Sequence, residues 1–219
     1  MRQLQKAATI AAFLIAVGML IHNINANILE PYFLGFEDKG KDYADMSKIE
    51  NALWSFSFTS SGISHIIAGF SLMVMGLFFS EWFKSTLPIA ARLTYLSAIL
   101  AGLGFLLTGI SDIPGTVYAG ILRGLNQPHN TEILLMTTIF RGMVNILAVT
   151  CLGWFAGMIA WSARQTDTFS RALRIYSGVI VLPGIMSLIF PPAGFSYIPL
   201  VLIWMPWLGL HIRKLPVTD

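Results

Sequence analysis

Long apolar runs separated by short polar breaks organise the whole chain. A membrane-spanning helix needs roughly 20 mostly apolar residues, and six runs meet or approach that length: about 7–29, 55–81, 88–111, 132–161, 172–190 and 195–212. The breaks have loop chemistry. Residues 35–51 carry Glu37, Asp38, Lys39, Lys41, Asp42, Asp45, Lys48 and Glu50, too many charges for hydrocarbon. Asp112-Ile113-Pro114-Gly115 is expected to end the third helix and open a loop over 112–131 that also holds Gly124, Pro128 and His129. Residues 164–171 read Arg-Gln-Thr-Asp-Thr-Phe-Ser-Arg. Pro191 and Pro192 within Phe190-Pro191-Pro192-Ala193-Gly194 divide the last two spans, since consecutive prolines remove two backbone donors.

End signals agree with this division. Ser47-Lys48-Ile49-Glu50 ahead of Ala52-Leu53-Trp54 has the form of a capping box. Pro88 suits a first helical turn. Aromatics fall where headgroups would meet the helices: Tyr32, Phe33, Trp54 and Tyr197 at one face, Trp82, Trp161 and Trp207 at the other. The first run, preceded by Arg2 and Lys6, has the flanks of a signal peptide. Ile24 nevertheless stands two places before Ala26, where cleavage wants a small residue, so the run is read as a retained span.

Composition supports the same class. Of 219 residues, 55% are hydrophobic and 11% charged, and the mean hydropathy is +0.69. Soluble domains carry about 25% charged residues. The expected fold is an all-α polytopic membrane bundle of six transmembrane helices forming a single domain. Cys151, the one cysteine, excludes a disulfide scaffold and reads as a buried thiol. The net charge of +3 is not a nucleic-acid signal, because the basic residues gather at helix ends without interleaved aromatics. Cytoplasmic loops collect Lys and Arg. Placing both termini in the cytoplasm puts Arg2, Lys6, Lys84, Arg92, Arg164, Arg171, Arg174, Arg213 and Lys214 inside, and only Lys39, Lys41, Lys48 and Arg123 outside. That bias fits a bacterial cytoplasmic membrane, with lipid as the surrounding partner.

Much chemistry is excluded by missing residues. The chain has no phosphate-cradling G-x-x-x-x-G-K-[ST], no G-x-G-x-x-G, no H-E-x-x-H, no C-x-x-C and no G-x-S-x-G. What remains is a set of polar residues inside the runs. His22, His65, Asp112 and Arg141 are ionisable, with Asn23, Ser61, Ser64, Ser111 and Asn145 close by. Such groups are expensive in hydrocarbon and need a partner or a purpose. At 1.5 Å of rise per residue, His22 and His65 lie roughly 10 Å below the outer helix ends and Arg141 about 13 Å, with Asp112 capping the third helix. Four helices thus carry polar groups into the outer half of the membrane.

Two accounts of Arg141 follow. In one it forms a structural ion pair with Asp112, or with Glu132 or Glu30, that sets helix order. In the other it holds an anionic group (a carboxylate, a phosphate headgroup or a haem propionate) in a cavity open to the outside. There Arg141, His22, His65, Asp112, Asn145, Asn23 and Ser61 would form the binding site of a transporter-like or accessory protein, with no catalytic residue. Matched depth also makes His22 and His65 candidates for axial ligation of a haem b in a redox subunit, for a metal site with Glu30 or Asp112, or for proton relay. An accessory subunit of a larger membrane complex would dock through helix faces such as Gly153-x-x-x-Gly157.

Overall fold

The computed structural model describes residues 1–35, 55–125, 130–190 and 196–216. Every regular element in them is helical: α1 (Arg2–Ile24), a π-helical turn (Asn25–Leu29), α2 (Glu30–Leu34), α3 (Phe56–Phe83), α4 (Pro88–Leu125), α5 (Asn130–Thr166), α6 (Arg171–Val179), α7 (Val181–Ile189) and α8 (Tyr197–Ile212). Five segments are long and apolar enough to cross a membrane: Arg2–Leu34, Thr59–Phe83, Pro88–Ile113, Thr138–Thr166 and Arg171–Ile189. The apolar α8, at 16 residues, is shorter. The chain is a multi-pass, all-α integral membrane bundle, and the lipid-facing sides carry exposed Ile10, Val17, Phe70, Ile139 and Leu182.

Successive helices are neighbours: α1 packs on α3, α3 on α4, α4 on α5, and α5 on α6 and α7, while α8 returns against α1. The side chain of Gln5 near the start of α1 donates to the carbonyl oxygens of Ile212 at 2.7 Å and Leu215 at 2.9 Å. The two ends of the chain therefore lie at the same end of the bundle. Phe169, in the turn between α5 and α6, stacks edge-on to Phe79 and to His211 at that same end. Inside the ring of helices, Trp204 is wholly buried and its indole donates to Ser177 Oγ at 2.8 Å. Phe155 packs edge-on to it, and Phe79 packs edge-on to Phe155 in turn.

Glycine lets the helices approach closely. A Cβ built on Gly69 would stand 2.7 Å from the Gly102 carbonyl oxygen, and one on Gly102 would stand 2.7 Å from that of Gly69. Gly62 meets Gly109 in the same way one heptad away, and Gly76 meets Ala98. A seven-residue spacing on α3 (62, 69, 76) keeps the small residues on one seam, as left-handed packing requires. Gly104 continues the pattern against Ala148 of α5. Gly153 lies with its Cα 3.0 Å from where a Gly184 Cβ would stand, and a Cβ on Gly157 would be 3.2 Å from Val181. The Gly153-x-x-x-Gly157 face expected to receive another subunit thus packs on α7 of its own chain.

Several boundaries differ from those the sequence suggests. The helix expected to end at Asp112-Ile113-Pro114-Gly115 runs on as α4 to Leu125, so the start of the expected 112–131 loop is helical and Asp112 lies within the helix instead of capping it. Once a helix is formed each further residue adds a backbone hydrogen bond at little extra cost in order, and propagation outweighs the turn preference of Pro-Gly. The first helix likewise runs past residue 29 into α2. Its π-helical turn has a local cause. Pro31 offers no N–H to the carbonyl four residues back, and the Glu30 N–H reaches back five residues to Asn25 O. The expected 172–190 span is interrupted at Ile180, one turn before Pro183, for the same reason. Pro206 lies within α8 without ending it. Tyr197 is 1% exposed, packed against Phe105, and is no interfacial anchor. The Ser47–Glu50 capping box, Trp54, Pro128, His129 and the Pro191–Gly194 turn lie outside the described residues.

Gly69→Val should destabilise the bundle by about 1–3 kcal/mol, because its Cβ must displace backbone. Gly142→Ala, where a Cβ meets nothing within 4 Å, should be neutral or stabilising by up to about 1 kcal/mol. Thermal unfolding of both variants in one detergent checks the contrast.

Candidate functional site

At the end of the bundle away from the termini, the polar residues of four helices meet. α1 supplies His22 and the π-helical turn that continues it supplies Asn25, on one face because they are three apart. α3 supplies Ser57, Ser60, Ser61, Ser64 and His65, α4 supplies Asp112, and α5 supplies Arg141 and Asn145. Gly18 lets α1 approach α3 here, since a Cβ on it would lie 3.1 Å from the Ser64 carbonyl oxygen.

The side chains form a continuous chain of contacts. Asn25 Nδ2 lies 3.0 Å from the Ser57 carbonyl oxygen, 2.8 Å from Ser60 Oγ and 2.9 Å from Ser61 Oγ, so its two N–H groups serve three acceptors. Ser61 Oγ in turn is 3.3 Å from His22 Nδ1. The rings of His22 and His65 touch, with centroids 4.7 Å apart and planes tilted by 53°. His65 Nδ1 is 3.3 Å from Asp112 Oδ2, and the other carboxylate oxygen of Asp112 accepts from Arg141 Nε. Phe105 stacks on His65 with ring centres 5.8 Å apart, and Tyr197 lies beyond it. One carboxylate therefore ties an imidazole of α3 to a guanidinium of α5 from the middle of α4.

Exposure changes at one end of this chain. The Asp112 side chain is 0% exposed and that of Arg141 is 25%. His22, Asn25, Ser61 and His65 are all buried. A buried carboxylate without solvent must be paired and hydrogen-bonded to remain ionised, and Asp112 has both kinds of partner. The polar chain thus opens at its Arg141 end. Asn145, one turn further along α5, has a buried Oδ1 with no hydrogen-bond partner among the described residues, and Ser57 Oγ is in the same state. Such atoms are uncommon in native structures and point to something further that satisfies them.

Of the residues singled out by sequence, His22, Ser61, His65, Asp112 and Arg141 are in mutual contact, and Asn145 is on the neighbouring turn of Arg141. Asn23 is not brought in: it is half-buried, and its carbonyl accepts from the exposed Asn27 at 3.1 Å. Asn25 takes the place assigned to it. At 100° per residue, position 23 turns away from His22 and position 25 returns to its face, so the helical period, not adjacency, carried the signal. Glu30 is buried at 4% exposure, and the side chain of Glu132 lies outside the described residues.

The geometry bears on cofactors. Two imidazoles on opposite faces of one iron, each bonded at about 2 Å, hold their ring centres about 6 Å apart. At 4.7 Å the His22 and His65 rings contact each other, which leaves no room for a macrocycle, and a bis-imidazole haem does not fit between them. Nor do three His, Cys, Asp or Glu side chains gather to hold a metal ion among the described residues. Compared with protein-family models, curated proteins and solved structures, the chain matches none. Function must be argued from the site itself.

Asp112→Asn should destabilise the protein by on the order of 3 kcal/mol, the usual cost of leaving a buried charge without its partner. Asp112→Asn/Arg141→Gln should recover part of that loss. A double-mutant cycle from unfolding in mixed micelles should return a coupling of about 1–3 kcal/mol, and additivity would mean that the two side chains do not interact.

Proposed function

We propose that this protein is a non-enzymatic, ligand-binding membrane protein that holds a small anionic or lipidic group at the outer end of its bundle, in the manner of a transporter or an accessory factor. Arg141 is its anion contact. Asp112 holds the guanidinium in place, Asn145 Oδ1 one turn along α5 is an acceptor for a hydroxyl or other donor carried by the same group, and His22, His65, Ser61 and Asn25 form the polar wall behind. The basic residues at the opposite end orient both termini toward the cytoplasm of a bacterial inner membrane.

The observation that carries this reading is the opening of the polar chain at its Arg141 end. Four ionisable side chains from four helices are in contact, three of them buried, and Arg141 alone reaches the surface while Asn145 Oδ1 beside it lacks a partner among the described residues. A purely structural ion pair would be served as well by a buried arginine, and would not need a chain extending to Asn25. Arginine keeps its charge in nearly any environment and presents a planar set of several donors, so a guanidinium held in place by Asp112 is suited to meet an anionic group.

Thermal stability in detergent against short-chain carboxylates and phosphate monoesters tests this reading. The wild type should gain about 2.7 kcal/mol at a hundredfold excess over Kd. Asp112→Asn/Arg141→Gln removes the pair without leaving a lone buried charge, so it should fold and insert yet show no gain. Equal stabilisation of both proteins would reduce Arg141 to a strut between helices, and no response of the wild type to any of these anions would end the reading.

A further inference from the structure

A second, separate feature lies at the end of the bundle that holds the termini. A groove of about 740 Å³ runs between α5 and the α6–α7 pair, within the range of about 300–1,000 Å³ typical of small-molecule sites. Its α5 wall is Gly157, Ala160, Trp161 and Arg164, spaced i, i+3, i+4, i+7 on one helix face. Its other wall is Arg171, Arg174, Ile175 and Gly178, with the same spacing on α6, closed by Val181 of α7. Both walls follow the same sequence of chemistry: arginines at the mouth, then an aromatic or aliphatic side chain, then glycine at the far end. From Arg164 to Gly157 the groove is about 10 Å long.

We propose that this groove is a binding site for one anionic phospholipid of the adjoining leaflet. Its phosphate sits between Arg164 and Arg171, and the upper part of an acyl chain lies over Gly157 and Gly178. Three points support this occupant. The first is charge: three guanidiniums frame the mouth, and Asp167, which Arg174 engages at 2.8 Å, is the one carboxylate bonded to any of them among the described residues. The N-terminus of α6, capped by Ser170 Oγ accepting from the Leu173 N–H, begins at Arg171 and adds its dipole to the same mouth. The second is space. Gly178 is exposed, and a Cβ on it would meet nothing within 4 Å, so this end of the groove is open and not a helix contact. The third is direction. Among the lining side chains Trp161 is 48% exposed and Ile175 59%, so the rim is apolar and faces lipid. Basic pockets between helices near the headgroup level favour anionic headgroups, and a tryptophan at that level is an interfacial side chain.

The test is native mass spectrometry of the full-length protein released from mixed micelles of phosphatidylglycerol and phosphatidylcholine. The first lipid bound by the wild type should favour phosphatidylglycerol by roughly tenfold. Arg164→Gln/Arg171→Gln should remove the preference. Gly178→Leu keeps every arginine but places a side chain in the open far end of the groove, and should reduce the number of retained lipids with the melting temperature within a few degrees of wild type. An unselective wild type, or a preference that survives in the arginine double variant, overturns the proposal. A parallel titration of inorganic phosphate into protein in wholly zwitterionic micelles distinguishes the source: saturable binding below 1 mM would make the site one for a soluble phosphate and overturn the lipid assignment. None of these variants touches Arg141 or Asp112.

Discussion

A carboxylate cut off from water at the centre of a membrane bundle sets the terms for everything around it. Asp112 has no exposed surface, and in hydrocarbon an unpaired charge of that kind would not be tolerated. It is held by Arg141 from one side and by His65 from the other, so three consecutive helices have to keep their relative depth and rotation. A slip of α4 by one residue would turn the carboxylate by about 100° and strand both partners. The polar chain is therefore a register lock as well as a candidate site. Those two roles do not compete, because a ligand-binding arginine must itself be fixed in position.

Glycine seams make that lock possible. The α3–α4 contact is built on Gly62, Gly69 and Gly76 facing Gly109, Gly102 and Ala98, which brings the backbones near enough for a short aspartate to reach a histidine on the next helix. Among transmembrane helices, where lipid competes with protein as an apolar neighbour, close packing of this kind replaces the hydrophobic effect as the source of association. The same device recurs between α5 and α7 at Gly153 and Gly184. Beyond that seam the helices diverge around Gly157 and Gly178, and the arginine-rimmed groove opens. Glycine thus closes one interface and, a turn or two further on, leaves room in another.

The two ends of the bundle differ in kind. At one end the polar groups are mostly buried, linked to one another and drawn from helix interiors, with Asn145 Oδ1 and Ser57 Oγ lacking partners among the described residues. At the other the charges are arginines and lysines at helix ends, beside interfacial tryptophan. The first arrangement suits selective recognition of a group that enters the bundle. The second suits contact with headgroups that lie beside it.

The chain by itself determined the class, the series of apolar helices long enough or nearly long enough to cross a membrane, the concentration of basic residues at one end and the presence of His22, His65, Asp112 and Arg141 within apolar stretches. Each of these follows from hydropathy, length and rise per residue, which are properties of a single helix in lipid. Tertiary structure decided which polar residues meet: Asn25 instead of Asn23, and both imidazoles against each other instead of across an iron. It also decided that Gly153 packs internally, that α4 continues past Pro114, and that two arginine-bearing helix faces enclose a groove. These outcomes depend on the rotation of one helix about its axis relative to the next. That angle is fixed by packing at the seams, and no local pattern encodes it.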